Sequence, residues 1–280
     1  MKDKKRMARQ LTHNQISPGH IALSRMFMDL GKYLILVTLV VLLMIKGTTT
    51  LGYNWQWYRV PRYLFTRTDA GLSAGPLLKG LMVTFRITGV SLVMAFAIGL
   101  VTVLMRLSSS FSARALARAY LELIRNTPLL IQLFLLYFVI SPIVGIGAFS
   151  SAVLALSLFE GAYISEIFRS GIESIAKGQW EAGLSSGLST FEAYRFVILP
   201  QAVRRILPPL TSQAVSLIKD SALVSTIAIY DLTMQGQAIV AETFLVFEIW
   251  FTVAAIYLII TMSLSTIAHE MEKRMTAVRS

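Results

Sequence analysis

Six apolar segments, most of them near 20 residues long, dominate this sequence and leave little for a water-soluble core. Runs of that length match the thickness of the hydrocarbon layer of a bilayer when they form α-helices. Only 15% of the residues are charged and the mean hydropathy is +0.64, whereas a soluble domain carries about 25% charged residues. The sequence therefore predicts an all-α integral membrane protein with about six transmembrane helices. The predicted spans are 30–49, 78–105, 127–146, 148–168, 206–230 and 244–268.

The first predicted span is the weakest, since its apolar run YLILVTLVVLLMI has only 13 residues between Lys32 and Lys46. Lysine side chains can extend along apolar surface and hold their charge among the headgroups, which lengthens the effective span. A cleaved signal peptide is the alternative. A polar lead of more than 30 residues and the lack of a small-residue cleavage site favour a membrane span.

The basic residues are distributed so as to orient the chain in the membrane. With the N-terminus in the cytoplasm, 19 of the 26 lysines and arginines fall in cytoplasmic segments and five in the outside segment 46–79, which satisfies the positive-inside rule. We therefore expect cytoplasmic N- and C-termini. The net charge of +11 then reflects topology, and nucleic-acid binding is not expected. The outside residues 53–65 mix Trp and Tyr with Arg, which is typical of a segment at the headgroup level.

The sequence also argues against several kinds of chemistry. It has no cysteine, and its three histidines lie near the termini, so no thiolate metal site and no nucleophilic or acid–base centre is predicted. A GxxxxGK[ST] motif is absent from the sequence, so the chain lacks a phosphate-binding loop of its own. We expect a non-catalytic subunit with no metal and no cofactor of its own.

The longest predicted cytoplasmic loop, at about 169–205, differs from a solvated linker. It contains Trp180 and the apolar ending VILP, and its helix-forming stretches are separated by Gly183 and Gly187. Two short helices joined at a glycine would present apolar side chains to a partner outside the bilayer. Gly187 would supply the turn, and we expect Pro200 to end the second helix before the next span.

The spacing of residues in this loop resembles a known motif. The loop reads Glu181-Ala182-Gly183, three residues, Gly187, nine residues, then Val197-Ile198-Leu199-Pro200. This is similar to the EAA loop of binding-protein-dependent ABC importer permeases, whose pattern is EAA, x3, G, x9, I, x, L, P. The sequence departs from the pattern twice, because Gly183 replaces the second Ala and Val197 replaces Ile.

The resemblance extends over about 200 residues, from Gly80 to Met275. The stretches GLMVTFRIT, LELIRNTPLLIQLF and SLIKDSALVSTIAIYDLT look like the polar amino acid branch of that family. In that branch Arg-Gly commonly precedes TPLL, whereas this chain has Arg125-Asn126. Residues 1–75 match only those members that carry an extra N-terminal span.

The resemblance implies a type I ABC importer permease with a core of five transmembrane helices in a bacterial inner membrane. Residues 1–75 would add a basic cytoplasmic N-terminus, an extra helix and a periplasmic interfacial segment, and 76–275 would form the transmembrane domain. Each EAA loop would dock on one ABC ATPase subunit, and the ATPase would bind ATP-Mg. The coupling residues implied are Glu181, Ala182, Gly183, Gly187, Val197, Leu199 and Pro200.

The resemblance also implies the other partners. Two permease chains, alike or different, would pair in the lipid bilayer and form the translocation path. A periplasmic or extracellular binding protein would deliver a polar amino acid, with glutamine or glutamate favoured.

Polar and ionisable side chains inside the predicted spans are candidates for substrate contacts, because a charge in the bilayer is costly unless it serves a pathway or a pair. Arg86 and threonine hydroxyls would donate to the carboxylate of an amino acid, and a glutamate would accept from its ammonium group. In related permeases the pocket is built from this part of the second span, the turn before Thr-Pro and the fourth span. The candidates carried over are Thr84, Arg86, Thr88, Asn126, Glu160 and Glu166.

Structural pairing is the competing interpretation for several of these side chains. Arg86 and Glu160 could pair with each other between helices. Glu166 could pair with Arg169, three residues further along the same helix. Arg86 lies on the opposite side of an α-helix from Thr84 and Thr88, so the three cannot all line one site in a regular helix.

An ion-coupled secondary amino acid transporter is the alternative function. Such a transporter would show inverted halves with broken helices in matching positions. The sequence shows no such halves, although Pro208-Pro209 is expected to break the fifth span before Lys219-Asp220. The helical loop would also have no task in such a protein.

Overall fold

A computed structural model of the chain describes residues 18–50, 52–69 and 71–277. These residues divide into two compact units, with the boundary between Trp55 and Gln56. The first unit contains one long helix, α1 (Pro18–Thr50), which is apolar over Leu30–Gly47. Residues 56–75, which the sequence analysis placed with the N-terminal part, belong to the second unit.

The second unit begins with short elements and continues as a helix bundle. The short elements are a 3-10 helix (Trp57–Arg59), helix α2 (Pro61–Leu64) and the antiparallel strands β1 (Phe65–Thr68) and β2 (Gly71–Ala74). The helices that follow are α3 (Pro76–Leu107), α4 (Phe111–Arg125), α5 (Leu129–Phe134), α6 (Ser141–Val144), α7 (Ala148–Glu173), α8 (Lys177–Ser185), α9 (Thr190–Glu192), α10 (Leu199–Asp220), α11 (Leu232–Thr243) and α12 (Val246–Ala277). A π-helix joins α5 to α6 (Leu135–Ile140), another joins α9 to α10 (Ala193–Ile198), and a 3-10 helix follows α10 (Ser221–Ile227).

Among the described residues, four helical segments are long and apolar enough to cross a membrane. They are Leu30–Gly47 in α1, the whole of α3, the whole of α7, and Val246–Glu270 in α12. A fifth span results if α4 and the segment Leu129–Val144 count as one, although they are bent by 104°. The helical membrane architecture thus agrees with the prediction, with four to five candidate spans where about six were expected.

The predicted span 206–230 differs most from the structure, because α10 ends at Asp220 and a 3-10 helix continues to Ile227. Pro208 and Pro209 lie inside α10, so the expected break at these prolines is wrong. A proline inside a helix loses a hydrogen bond and crowds the preceding turn. Packing of α10 against α7 and α12 outweighs that local cost.

The most extensive packing in the bundle is between α3 and α7. A Cβ atom at Gly99 would lie 2.7 Å from Ile164 Cγ2, and one at Gly161 would lie 2.8 Å from Ile98 Cγ2. Each glycine therefore accepts an isoleucine of the other helix. Small residues are enriched where membrane helices pack against each other. They let the two backbones approach closely, which increases the van der Waals contacts between the helices.

The bundle has two distinct ends. Helix α3 starts beside the β-hairpin and ends where Arg106 reaches Glu166, near the chain segment that leads into α8. We call the end with the hairpin the cap end and the end with α8 the loop end. One apolar cluster around Leu77 lies at the cap end, one around Ile87 lies midway, and one around Phe168 lies at the loop end.

Candidate functional site

The helical loop, residues 174–198, consists of α8 followed by α9 and a π-helix, with a sharp turn between them. Gly187 lies in this turn with a φ of +83°, a backbone conformation that costs an L-residue about 1–2 kcal/mol. The turn is closed by N–H groups of Gly187 and Leu188, which donate to the carbonyls of Leu184 and Gly183 at 3.0 and 3.3 Å. Two helices joined at Gly187 were expected from the sequence, and the structure contains this arrangement.

The two arms of the helical loop pack directly on each other. Gly183 is buried, and a Cβ atom there would lie 3.4 Å from Ala193 Cβ and 3.6 Å from Val197 Cγ2. Trp180 and Tyr194 meet edge to face, with ring centroids 5.3 Å apart. Aromatic pairs of this geometry add to the stabilisation gained by burial, so the loop is a rigid pair of helices.

The second arm starts with a capping box. The Ser189 hydroxyl accepts from the Glu192 N–H, and the Glu192 carboxylate accepts from the Ser189 N–H at 2.8 Å. Hydrogen bonds from the hydroxyl and the backbone of Ser189 lower the pKa of Glu192, so this carboxylate stays ionised at neutral pH. The box fixes where the second arm begins after the turn.

The helical loop is also fixed to the bundle. Ile175 and Ile198 are buried in the loop-end cluster with Phe168 of α7. The Arg205 guanidinium donates to the carbonyl of Ser174, and Gln201 Nε2 donates to Gln179 Oε1 at 3.0 Å. A displacement of the loop would therefore move the ends of both α7 and α10.

The tip of the helical loop leaves apolar side chains uncovered. Leu184, in the first arm, is 49% exposed and Phe191, in the second, is 72% exposed. Of the coupling residues implied by the motif, Glu181, Ala182, Gly187, Leu199 and Pro200 are exposed, Val197 is half-buried and Gly183 is buried. Pro200 does not end the second helix, because the chain runs as one helical path through the π-helix into α10.

Thr84 and Thr88 lie on the buried side of α3, but they have different surroundings. The Thr84 hydroxyl donates to the Gly80 carbonyl and accepts from the Leu232 N–H, both at 3.2 Å, so it holds the start of α11. Thr88 Oγ1 is buried and has no hydrogen-bond partner. Thr88 lines a largely apolar cavity of about 340 Å³ between α3, α10 and α12.

Arg86 is exposed on the opposite side of α3, as the helix geometry requires. Its guanidinium lies 5.3 Å from the centroid of the Phe149 ring, in the first turn of α7. Arg86 is therefore level with the start of α7 and adjacent to Ile87 of the middle cluster. No ion pair joins it to Glu160 in the described part of the chain, so the pairing considered from the sequence is not formed.

Glu160 is fully buried in the middle of α7. Gln213 Nε2 of α10 donates to Glu160 Oε2 at 2.6 Å, and the second carboxyl oxygen, Oε1, has no hydrogen-bond partner. Gln213 was missed in the sequence analysis. Its signal was an amide inside a predicted span, where a polar group needs a partner.

Glu166 lies at the loop end among three arginines from three helices. Arg106 of α3 donates to Glu166 Oε2 at 2.6 Å, Arg169 pairs with Oε1, and Arg125 of α4 lies 3.8 Å away. The pairing with Arg169 expected as an alternative is thus present. Asn126, after α4, is exposed, and its Nδ2 donates to both the carbonyl and the carboxylate of Glu122 at 2.8 Å.

These candidates therefore do not form one compact cluster around a single point. Arg86 and Thr88 lie at nearly the same level on opposite sides of α3, Glu160 lies in the middle of α7, and Glu166 lies at the loop end. Such a distribution suits a path through a bundle better than a closed pocket. A bundle of membrane-crossing helices with polar side chains along it and a rigid helical loop at one end is the architecture of a membrane transport protein.

Comparison with known proteins identifies the family of this transport protein. Residues 100–277 match the family described as binding-protein-dependent transport system inner membrane component. The chain is 42% identical over 202 residues, 71% of its length and 92% of the relative, to the glutamine transport system permease protein GlnP of Escherichia coli (strain K12). It is 39% identical over 203 residues, 71% of its length and 87% of the relative, to the L-cystine transport system permease protein TcyB of Bacillus subtilis (strain 168).

A solved structure is similar as well. The crystal structure of an amino acid ABC transporter with histidines superposes with a TM-score of 0.68 at 38% identity, covering 71% of this chain and 94% of that one. The chain therefore belongs to the family of binding-protein-dependent transport system inner membrane components. It is a multi-pass membrane permease subunit of a binding-protein-dependent importer. Permeases of this family work with an ATPase and a binding protein, and typically have no catalytic activity themselves.

Proposed function

We propose that this chain is the permease subunit of an ATP-driven importer of polar amino acids, with glutamine as the first candidate substrate. The observation that carries the proposal is the rigid helical loop, whose exposed tip holds Leu184 and Phe191. The 42% identity to a glutamine transport permease supports the choice of substrate. Glutamate is the second candidate, because Arg86 would also attract a side-chain carboxylate.

The loop would couple the permease to its ATPase. Its arms are locked together at Gly183 and its base is fixed to α7 and α10, so force on the tip reaches helices of the bundle. Packed helices of this kind switch between discrete arrangements. ATP and Mg²⁺ would be bound by the ATPase, and a second permease chain, identical or related, would complete the path.

The direction of transport follows from the proposed orientation. The loop end would face the cytoplasm, with both termini on that side of a bacterial inner membrane, and the cap end would face the binding protein. This agrees with the distribution of lysines and arginines.

Three of the polar side chains would meet the substrate. Arg86, exposed on the opposite side of α3 from Thr88, would take the carboxylate at one stage of the path, and the unpartnered Thr88 hydroxyl would donate a hydrogen bond at another. Glu160 Oε1, which lacks a donor, would accept from the ammonium group when α7 and α10 move apart. Thr84, Asn126 and Glu166 have structural partners, and any contact with substrate would require those partners to be displaced.

The docking role is tested by substitution at Gly187. A Cβ atom at this position meets nothing within 4 Å, and Gly187 is exposed, so Gly187→Trp adds bulk at the tip. Gly187→Ala is the matched control, because it carries the same backbone strain without the bulk. Both variants and the unmodified chain are purified from native membranes in mild detergent.

We expect an ATPase to co-purify with the unmodified chain and with Gly187→Ala, and to be lost from Gly187→Trp. Binding that survives Gly187→Trp would contradict the docking role of the tip. If the ATPase is absent from all three preparations, the importer would lack its motor, which would contradict the proposed function. The substrate is then identified as the amino acid whose loaded binding protein stimulates ATP turnover.

A further inference from the structure

A second surface of the chain, at the cap end, is built like an interface. The cap, residues 56–74, comprises the 3-10 helix, α2 and the β-hairpin, and it precedes the first span of the bundle. Its strands pair in a fixed register, with Phe65 opposite Ala74 and Arg67 opposite Leu72. Residues that face each other across an antiparallel pair lie on the same face, so Phe65, Arg67 and Leu72 share one face.

The cap is fixed rigidly to the bundle. The Gln56 N–H donates to Glu248 Oε1 at the start of α12 at 2.6 Å, and Trp57 stacks on Phe251 with ring centroids 6.4 Å apart. The Gly75 N–H donates to the Leu64 carbonyl at 2.7 Å. A Cβ atom at Gly75 would lie 2.5 Å from the Tyr63 carbonyl oxygen, so the backbone approaches too closely there for any other residue. A surface held in this way loses little conformational entropy on binding.

Large side chains project from this platform. Tyr58 is 79% exposed, Leu72 is 71% exposed and Phe65 is 50% exposed, and Arg62 and Arg67 are exposed as well. Aromatic side chains and arginine are enriched at the energetic centres of protein interfaces. The composition of the cap therefore fits a protein partner.

The charge of the cap specifies the chemistry of that partner. The cap contains Arg59, Arg62 and Arg67 and a single acidic residue, Asp69. Its positive surface calls for an acidic face on the partner, since complementary charge speeds encounter and sets register.

The hairpin tip favours a soluble partner over the headgroup contact that the sequence predicted for residues 53–65. Asp69 is exposed in the tip, and the face opposite Arg67 carries the polar Thr66 and Ser73. A loop that enters a bilayer would place apolar side chains at its tip, because a carboxylate there is repelled by anionic lipids and costly to desolvate.

We propose that the cap is the receiving surface for the soluble binding protein, which would dock an acidic face onto Arg62 and Arg67 with Phe65 and Leu72 beside them. This rests on the proposed function, which places the cap end on the side where the binding protein delivers substrate. The helical loop and the cap would then be the two docking surfaces of the chain, one at each end of the bundle.

The test uses the whole complex of the full chain with its ATPase and any second permease chain, reconstituted in lipid nanodiscs. The probe is a glutamine-loaded binding protein of the same organism, chosen as the one that stimulates ATP turnover of the unmodified complex. Its concentration is titrated against the double reversal Arg62→Glu/Arg67→Glu. The matched control is Arg118→Glu/Lys273→Glu, which makes the same change of charge at exposed residues outside the cap. Leu72→Ala tests the apolar part of the surface without a change of charge.

We expect the concentration of binding protein for half-maximal stimulation to rise at least tenfold in the Arg62→Glu/Arg67→Glu variant. ATP turnover without binding protein should stay unchanged, which also shows that the variant is folded. Leu72→Ala should raise the same concentration by a smaller factor, and the control should not change it. Lysine substitutions on the acidic face of the binding protein should restore the affinity of the double reversal.

An unchanged half-maximal concentration in both cap variants would overturn the inference while leaving the importer function intact. An effect that follows the fraction of anionic lipid in the nanodisc, at constant affinity for the binding protein, would show that the cap contacts the membrane and would also overturn it. If no binding protein stimulates the unmodified complex, the proposed function fails and the inference fails with it.

Discussion

Gly183 illustrates how a single position decides whether the helical loop is rigid. The related motif has alanine here, and a Cβ atom at Gly183 would meet Ala193 and Val197 at 3.4 and 3.6 Å, which is ordinary van der Waals contact. The pair of arms thus has room for one methyl group and no more. Glycine at this position leaves α8 with more backbone freedom than alanine would.

We therefore expect Gly183→Ala to keep ATPase docking and to stabilise the loop by up to about 1 kcal/mol, the difference in helix propensity. Gly183→Leu should force the second arm away and abolish stimulation of ATP turnover. ATPase co-purification and thermal unfolding in detergent measure the two effects. Normal coupling in Gly183→Leu would show that the arms need not stay in contact.

Glu160 combines a structural contact with an unused acceptor, and its two possible roles can be separated. Glu160→Gln keeps an oxygen that can accept from Gln213, whereas Glu160→Ala leaves the Gln213 amide without its partner, at a cost of about 1–3 kcal/mol. We expect Glu160→Gln to fold normally but to transport poorly, because a neutral amide attracts the substrate ammonium less. Glu160→Ala should lose both stability and transport. Full transport by Glu160→Gln would make Glu160 a purely structural residue.

Local chemistry made parts of the site predictable from the sequence. The turn at Gly187 and the two short helices were predicted because glycine and helix-forming residues act over a few neighbours. The partners of Thr84 and Glu160 were not predictable, since they lie 148 and 53 residues away in the chain. A helical periodicity shows which side of a helix is apolar, but not which helix packs against it.

At the scale of elements, the prolines are where sequence rules and structure differ most. The π-helices Leu135–Ile140 and Ala193–Ile198 each lead directly into an α-helix whose second residue is proline, Pro142 or Pro200. A π-turn bonds each N–H one residue further back than an α-turn. The carbonyl that would otherwise clash with the proline ring can therefore point elsewhere. The proline itself lies in the first turn of the α-helix, where its missing N–H is not needed as a donor. At Pro200 the helix therefore continues where its end was predicted.

The ion pairs at Glu166 hold three elements together at the loop end. Glu166 links α7 to Arg106 of α3 and lies near Arg125 of α4, beside the segment that enters the helical loop. Neutralising Glu166 would leave three arginines close together without their shared counter-charge. By contrast, the ion pair that Glu173 makes within the described part of the chain is with Arg169, on the same helix.

We expect Glu166→Gln to lower the free energy of unfolding by on the order of 1 kcal/mol, and Glu173→Gln to have a clearly smaller effect. The measurement is thermal unfolding of the purified chain at low and high salt, because salt should shrink the difference between the variants. If both variants lost the same free energy of unfolding, the ion pair between α3 and α7 would add no more stability than the Arg169–Glu173 pair within α7.

At the scale of the whole molecule, all contacts described above for the helical loop and for the polar side chains inside the spans lie within the helix bundle. None of them involves α1, and the match to the family also starts only at residue 100. The cap, however, places Arg59, Arg62 and Arg67 directly before the first span of the bundle. Arginines in such short segments favour retention in the cytoplasm, whereas the proposed orientation needs them outside. A preceding span such as α1 would carry them across.

Deletion of residues 1–55 should therefore reduce correct insertion severalfold. An unrelated apolar helix with the same flanking charges should restore it, as should Arg59→Gln/Arg62→Gln/Arg67→Gln in the shortened chain. Because the sequence has no cysteine, Ser186→Cys in the exposed loop gives a single reporter. A membrane-impermeant thiol reagent, applied to sealed cells and then to opened ones, shows on which side the loop lies. Restored insertion without restored transport would show that α1 also makes specific contacts in the working complex, because topology alone would then not account for its presence.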